Sequence, residues 1–211
     1  MKKNRISKNW LTKQHRDYFV RQSKIQGYRS RSAFKLIEIN EKFNFLKKNT
    51  LLLDLGSSPG GWSQVARKII TKGKILAVDI KPMKKIDNVK FLKGDLENSE
   101  TCDKIHYYFN TKIDVVISDM AANTSGNKSL DSYKNGALCL KSMELARKIL
   151  HQDGVLLSKF FMGSIFTEIN VEAKNCFKKI HIYKPQSSRK ESNEIYIYCK
   201  GISKSFNFPK V

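Results

Sequence analysis

The stretch Leu51-Leu-Leu-Asp-Leu-Gly-Ser-Ser-Pro-Gly-Gly-Trp62 decides the fold. A short apolar run ends in a glycine-rich turn, and a helical pattern over 62–70 starts as the turn ends. Strand, tight turn and helix in that order form the opening unit of an α/β sheet. Gly56, Gly60 and Gly61 allow the backbone to approach a ligand closely, and the helix that follows offers unpaired N–H groups at its start.

Outward from this turn the pattern repeats. Apolar runs at 75–80, 89–92, 113–118 and 155–160 read as buried strands. Helical periodicity lies between most of them, clearest at 62–70 and 138–150, and it also follows Ser30, where Ala33, Phe34, Ile37, Phe43 and Leu46 recur. Gly73 and Gly154 stand where helices are expected to stop before the next strand. Near-continuous apolar strands alternating with helices predict an α/β fold with a mostly parallel sheet. Two strand-like runs without a helix between them, 179–183 and 194–200, predict an antiparallel C-terminal edge hairpin, for about seven strands in one domain.

The 211 residues carry 40 Lys+Arg against 19 Asp+Glu, a formal charge of +21. A bias toward Lys, Ile and Asn (32, 20 and 15 residues) accounts for part of that excess as an AT-rich coding preference. Placement separates the two causes. Residues 1–35 hold eleven Lys/Arg and one acid, Asp17, a concentration that points to a nucleic-acid partner. The expected division is a basic RNA-binding extension over 1–30 and a catalytic domain over 31–211. No run of about 18 apolar residues is present to span a membrane, and no apolar segment follows the basic start as in a secretory signal. Cys102, Cys139, Cys176 and Cys199 are far apart and form no CxxC, consistent with reduced thiols and a cytoplasmic location. The four histidines are scattered, and no metal site is expected.

The ligand is argued from acids. A dinucleotide turn reads GxGxxG, whereas this one is GxxxGG preceded by Asp54, and a carboxylate there would repel a pyrophosphate. Asp79 closes the second strand, 25 residues after Asp54, where nucleotide-binding α/β proteins place the acid that holds ribose hydroxyls. Asp95 follows the third strand and is suited to accept from an adenine amino group. Acids at three successive strand ends fit S-adenosylmethionine, whose sulfonium and amino groups are cationic. Asp119 ends the fourth strand, and Lys159 sits in an otherwise apolar strand, where a lysine is rarely buried without a partner. Desolvation and a second cation would lower its pKa, as a general-base lysine requires.

These segments resemble the FtsJ/RrmJ family of ribosomal RNA large-subunit methyltransferases. The resemblance is carried by Tyr28-Arg-Ser-Arg-Ser-Ala-Phe-Lys35, by Asp54-Leu-Gly-Ser-Ser-Pro-Gly-Gly-Trp-Ser-Gln64 and by Ser118-Asp-Met-Ala-Ala-Asn123. Ser158-Lys159 and Lys184-Pro-Gln-Ser-Ser-Arg-Lys-Glu-Ser-Asn-Glu-Ile-Tyr196 complete it. It implies a Rossmann-like domain that methylates a uridine 2′-hydroxyl of 23S rRNA in the large ribosomal subunit, converting S-adenosylmethionine to S-adenosylhomocysteine without a metal. The family's Lys-Asp-Lys-Glu tetrad falls on Lys35, Asp119, Lys159 and Glu194. Its cofactor contacts fall on Gly60, Trp62, Asp79, Asp95 and Asp119, beside Asp54 and Gly56 of the glycine turn.

Two departures stand out. Ala122 replaces the usual proline, which leaves the loop after Asp119 less restrained, and Leu96 replaces the usual aromatic. Within this resemblance Lys159 is the expected base, Asp119 orients it, Lys35 lowers its pKa and holds the target, and Glu194 positions a lysine or a ribose hydroxyl. Trp10, Tyr18 and Tyr28 are candidate base-stacking groups, and Lys184 and Arg189 a second phosphate contact. A monomer is expected. A tRNA 2′-O-methyltransferase and a catalytically silent ribosome-assembly protein are the alternative readings, with a nucleotide-dependent oxidoreductase behind them.

Overall fold

β1 (Leu51–Leu55) holds the centre of the sheet, with β2 (Lys74–Asp79) on one side and β4 (Ile113–Ser118) on the other, both parallel to it. The computed structural model describes residues 18–123 and 125–203. Trp10 and the basic residues before Tyr18 therefore lie outside the described residues. β3 (Lys90–Lys93), β5 (Leu150–Phe161), β6 (Phe177–Tyr183) and β7 (Glu194–Ile202) complete a seven-stranded sheet in the order β3-β2-β1-β4-β5-β7-β6. Only β7 runs against the others: it pairs antiparallel with both β5 and β6. The predicted hairpin is present, with β6 outermost and β7 inserted beside β5.

Six helices are described: α1 (Tyr18–Ile25), α2 (Ala33–Phe43), α3 (Gly61–Ile69), α4 (Ser99–Phe109), α5 (Lys128–Ile149) and α6 (Phe166–Cys176). The period of two along each strand divides the core into two layers. Leu53 and Leu55 face one layer with Ile105 of α4, Met143 of α5 and Ile169 of α6. Leu52 faces the other with Leu36 of α2 and Val65 of α3. Helices on both sides explain why the strand sequences are apolar without alternation.

Two boundaries differ from the sequence reading. α5 starts at Lys128, ten residues before the expected 138, because its first turns are polar and give no apolar period. The Asn127 side chain caps it by accepting from the N–H groups of Ser129 and Leu130. Gly154 does not stop a helix. α5 ends at Ile149, and Gly154 lies inside β5, where the register against β4 slips between Ile113–Leu150 and Val115–Val155. A Cβ on Gly154 would lie 2.8 Å from the Leu150 Cβ, so the glycine belongs to this bulge.

The strand order reverses between β1 and β4, and in open α/β sheets that switch point opens a crevice at the C-terminal strand ends. The Asp119 N–H bonds to the Leu55 carbonyl at 3.0 Å and fixes the crevice floor.

Candidate active site

A cleft of about 430 Å³ occupies that crevice, lined by Gly56, Asp79, Asp95 and Asp119 among others. Gly56 is at φ 70°, and a Cβ there would come within 2.7 Å of the Met120 backbone, so only glycine fits. Asp79 organises the rim through both carboxylate oxygens. Oδ2 accepts from the Ser58 N–H at 2.8 Å and Oδ1 from the Lys81 N–H at 2.7 Å. Asp95 accepts from the Glu97 N–H at 2.9 Å. Leu96 and Ala122 also line the cleft, so both departures from the family pattern face it.

Three of the expected cofactor residues lie behind this lining. Gly60 caps α3 at φ 113°, and a Cβ there would lie 2.9 Å from Arg29 Nη1. Arg29 donates to the carbonyls of Pro59, Lys84 and Lys85 and so ties the glycine turn to the loop after β2. The Trp62 indole turns inward. It is 2 % exposed, donates to the Ser32 carbonyl at 2.8 Å and lies 5.7 Å from the Tyr196 ring. Asp54 is fully buried in β1 and accepts from the Ser63 hydroxyl at 2.6 Å. Burial, reinforced by the charges of Asp119 and Asp79 and offset in part by Ser63, pushes the Asp54 carboxyl up to about 7.

The four tetrad residues form two ion pairs. Lys159 Nζ lies 2.9 Å from Asp119 Oδ1 and donates to the Asp119 carbonyl at 2.7 Å. Lys35 Nζ lies 2.5 Å from Glu194 Oε1, which also accepts from the Ser188 hydroxyl at 3.0 Å. Lys159 and Lys35 are both buried. Glu194 therefore meets a lysine, one of its two expected partners, and Lys35 carries its own counter-ion.

Strand register explains the meeting. Lys159 of β5 pairs with Tyr196 of β7, and Phe161 pairs with Glu194, so steps of two put Lys159, Tyr196 and Glu194 on one face. Tyr196 joins the two pairs. Its hydroxyl donates to Asp119 Oδ1 at 3.1 Å, and burial followed by the charges of Asp119 and Glu194 raises its pKa well above the usual phenol value.

Sequence reasoning does not single out Tyr196, although its place two residues after Glu194 in a predicted strand puts it on the same face. It does not single out Glu38 either, which carries no such signal. Glu38 accepts from Tyr183 Oη at 2.7 Å, the Gln186 N–H at 2.6 Å, and the Ser187 N–H and hydroxyl, both at 3.0 Å. These bonds fasten the segment between β6 and β7 to α2. Lys184 belongs to that segment's internal structure, since Nζ donates to the carbonyls of Lys190 and Ser192. Arg31 donates to the Ser187 carbonyl. Burial first, then the neighbouring Arg189 charge, lowers its pKa. Tyr28 packs edge-on to Phe34 and lies under Lys68 Nζ, whereas Tyr18 is largely exposed.

An FtsJ-like methyltransferase model matches residues 28–202. The ribosomal RNA large subunit methyltransferase E of Pelagibacter ubique is 48 % identical over 95 % of this chain and 98 % of its own. The chain belongs to the FtsJ-like methyltransferase family. The resemblance read from the motifs is thus borne out over nearly the whole length. The Acinetobacter baylyi protein of the same description is 37 % identical, covering 97 % of this chain and 95 % of its own. A Plasmodium falciparum crystal structure described as a ribosomal RNA methyltransferase superposes with a TM-score of 0.74 at 34 % identity. That match covers 83 % of this chain and 98 % of the other.

In this FtsJ-like methyltransferase the acid-lined cleft and the lysine pairs meet at Asp119, which belongs to both. Among the described residues no group of three His, Cys, Asp or Glu side chains could hold a metal ion. No described helix is long and apolar enough to cross a membrane.

Proposed function

We propose that the protein transfers a methyl group from S-adenosylmethionine to a uridine ribose 2′-hydroxyl of 23S rRNA in the large ribosomal subunit, with Lys159 as general base. The observation that carries this reading is Asp119, which lines the acidic cleft while its Oδ1 lies 2.9 Å from Lys159 Nζ. The cleft fits the cofactor by its chemistry. Asp79 and Asp95 face it with carboxylates suited to ribose hydroxyls and an adenine amino group, and Gly56 leaves the backbone uncovered for close approach. The family's relatives named for the large ribosomal subunit support the substrate class.

Bound there, S-adenosylmethionine supplies an electrophilic methyl on a sulfonium. Lys159, neutral when poised, takes the 2′-hydroxyl proton onto the Nζ lone pair as the oxygen attacks the methyl; the ammonium so formed has three donors, two of them with acceptors on Asp119. Asp119 orients Nζ and places it beside the cleft. Lys35 and Glu194, held as a pair, position the ribose. Alignment of donor and acceptor is worth roughly 7–11 kcal/mol in well-oriented intramolecular cases and carries much of the rate. Residues 1–30, with Arg189 beside the site, hold the RNA backbone while the uridine is splayed into the pocket. The working form is a cytoplasmic monomer.

The test is methyl transfer from labelled S-adenosylmethionine to large subunits, free rRNA and tRNA, with the modified site mapped. We expect one 2′-O-methyluridine in large-subunit RNA, reduced at least ~100-fold in Lys159→Met with cofactor binding retained. Label on tRNA would replace the substrate. Cofactor binding without transfer to any of the three would favour an assembly factor. Near-normal turnover by folded Lys159→Met would overturn the base assignment.

A further inference from the structure

The loop after β4 closes one wall of the cleft with Met120, Ala121, Ala122 and Asn123, and something must hold it there. Its start is anchored by the Asp119 N–H on the Leu55 carbonyl. Its far end is anchored by Asp131 of α5. The Asp131 Oδ1 accepts from the Ser125 N–H at 2.7 Å and hydroxyl at 2.8 Å, and Oδ2 accepts from the Gly126 N–H at 3.2 Å. The middle is tied by one side chain. Asn135 Oδ1 accepts from the Ala122 N–H at 3.3 Å, while its Nδ2 donates to the Asp131 carbonyl at 2.7 Å.

Asn135 is 1 % exposed and begins the stripe that Cys139 and Met143 continue into the apolar core. An amide is a poor choice there for packing or for helix propensity. Both of its polar ends are used, one on its own helix and one on the loop. Asp131 stands one turn earlier, so both clamps project from the same face of α5.

We infer that Asn135 is a positioning residue for the cofactor cleft: by holding the Ala122 backbone, it does the work that a proline at position 122 would do by fixing φ. A proline has no N–H to give and needs no such acceptor. The two solutions exclude each other. Ala122→Pro alone would strand the buried Asn135 Oδ1, and Asn135→Ala alone would leave the loop untied. The inference rests on the proposal that this cleft takes S-adenosylmethionine.

The test is a double-mutant cycle on the full chain, read by calorimetric titration with S-adenosylmethionine and by amide hydrogen exchange without ligand. Asn135→Ala is expected to weaken binding about tenfold and Ala122→Pro by a similar factor, as befits one part-buried hydrogen bond. The double variant is expected to return to within about twofold of the parent. Exchange of the Ala122 amide should quicken in Asn135→Ala while β4 stays protected. Additive losses in the double variant, or unchanged Ala122 exchange in Asn135→Ala, would overturn the inference. If Asn135→Ala does not fold, the double variant decides: restored folding and binding support the clamp, and failure of both refutes it. An unmodified chain that binds no S-adenosylmethionine would instead refute the cofactor assignment, while the exchange result still judges the clamp.

Discussion

Asp119 stands at a junction, because its Oδ1 takes both Lys159 and Tyr196 while the residue itself lines the cleft. Its candidacy is readable from sequence, as is that of Lys159, because an acid at a strand end and a lysine in an apolar run are local anomalies. Trp62 is not readable in the same way. The family resemblance puts Trp62 among the cofactor contacts, and the packing of α2 and Tyr196 adds that its indole points inward. Asp54 gives the prediction at this scale. Its carboxyl lies at about 7 in the folded protein against an ordinary 3.8, so the fold favours the protonated form. The unfolded chain loses this proton first as pH rises. The stabilisation is therefore full below about 4, declines through the interval up to about 7 and is gone above it. The shift corresponds to on the order of 4 kcal/mol at most. Asp54→Asn should flatten the fall in melting temperature between about pH 4 and pH 7 in ligand-free protein, and an unchanged slope would show that another group carries it.

The segment between β6 and β7 depends on α2 for its shape. Lys35 and Glu38 are one turn apart on that helix, and each holds a contact across about 150 residues of sequence, Lys35 to Glu194 and Glu38 to residues 183–187. Burial alone would raise the Glu38 pKa, but the bonds from Tyr183, Gln186 and Ser187 outweigh it and hold the carboxyl below its ordinary value. Its contribution is thus present above the unfolded value and lost as pH falls through the folded one. Glu38→Ala should destabilise the protein near neutral pH by about 0.5–1.5 kcal/mol, since Ser187 is buried but the Tyr183 and Gln186 donors can turn to solvent. It should also lower kcat more than it weakens S-adenosylmethionine binding, because Glu194 loses its brace while the cleft is untouched. Stopped-flow or steady-state kinetics beside calorimetry would separate the two, and equal losses in both would count against the bracing role. Strand boundaries are legible to within a few residues because they follow contiguous apolar runs. The polar first turns of α5 and the bulge at Gly154 are not, since a cap and a register slip leave no period.

At the scale of the whole molecule the charge is lopsided: six of the eleven Lys/Arg within residues 1–35 precede Tyr18. Removing residues 1–17 should flatten the plot of log affinity for single-stranded rRNA against log salt, by about 0.7 for each phosphate no longer engaged, with S-adenosylmethionine affinity unchanged. An unaltered slope in filter binding would place the RNA-holding surface elsewhere. The strand–helix alternation, the glycine turn, the acids at strand ends and the buried lysine were determined by sequence alone, because each is written in neighbouring residues as period, turn chemistry or an out-of-place charge. The tertiary structure alone decided that β7 inserts beside β5, that Lys35 meets Glu194, that Tyr196 joins the two ion pairs and that Asn135 holds Ala122. Those contacts follow from strand order and register, which bring distant residues onto one face, and no local pattern specifies which cation will meet which carboxylate.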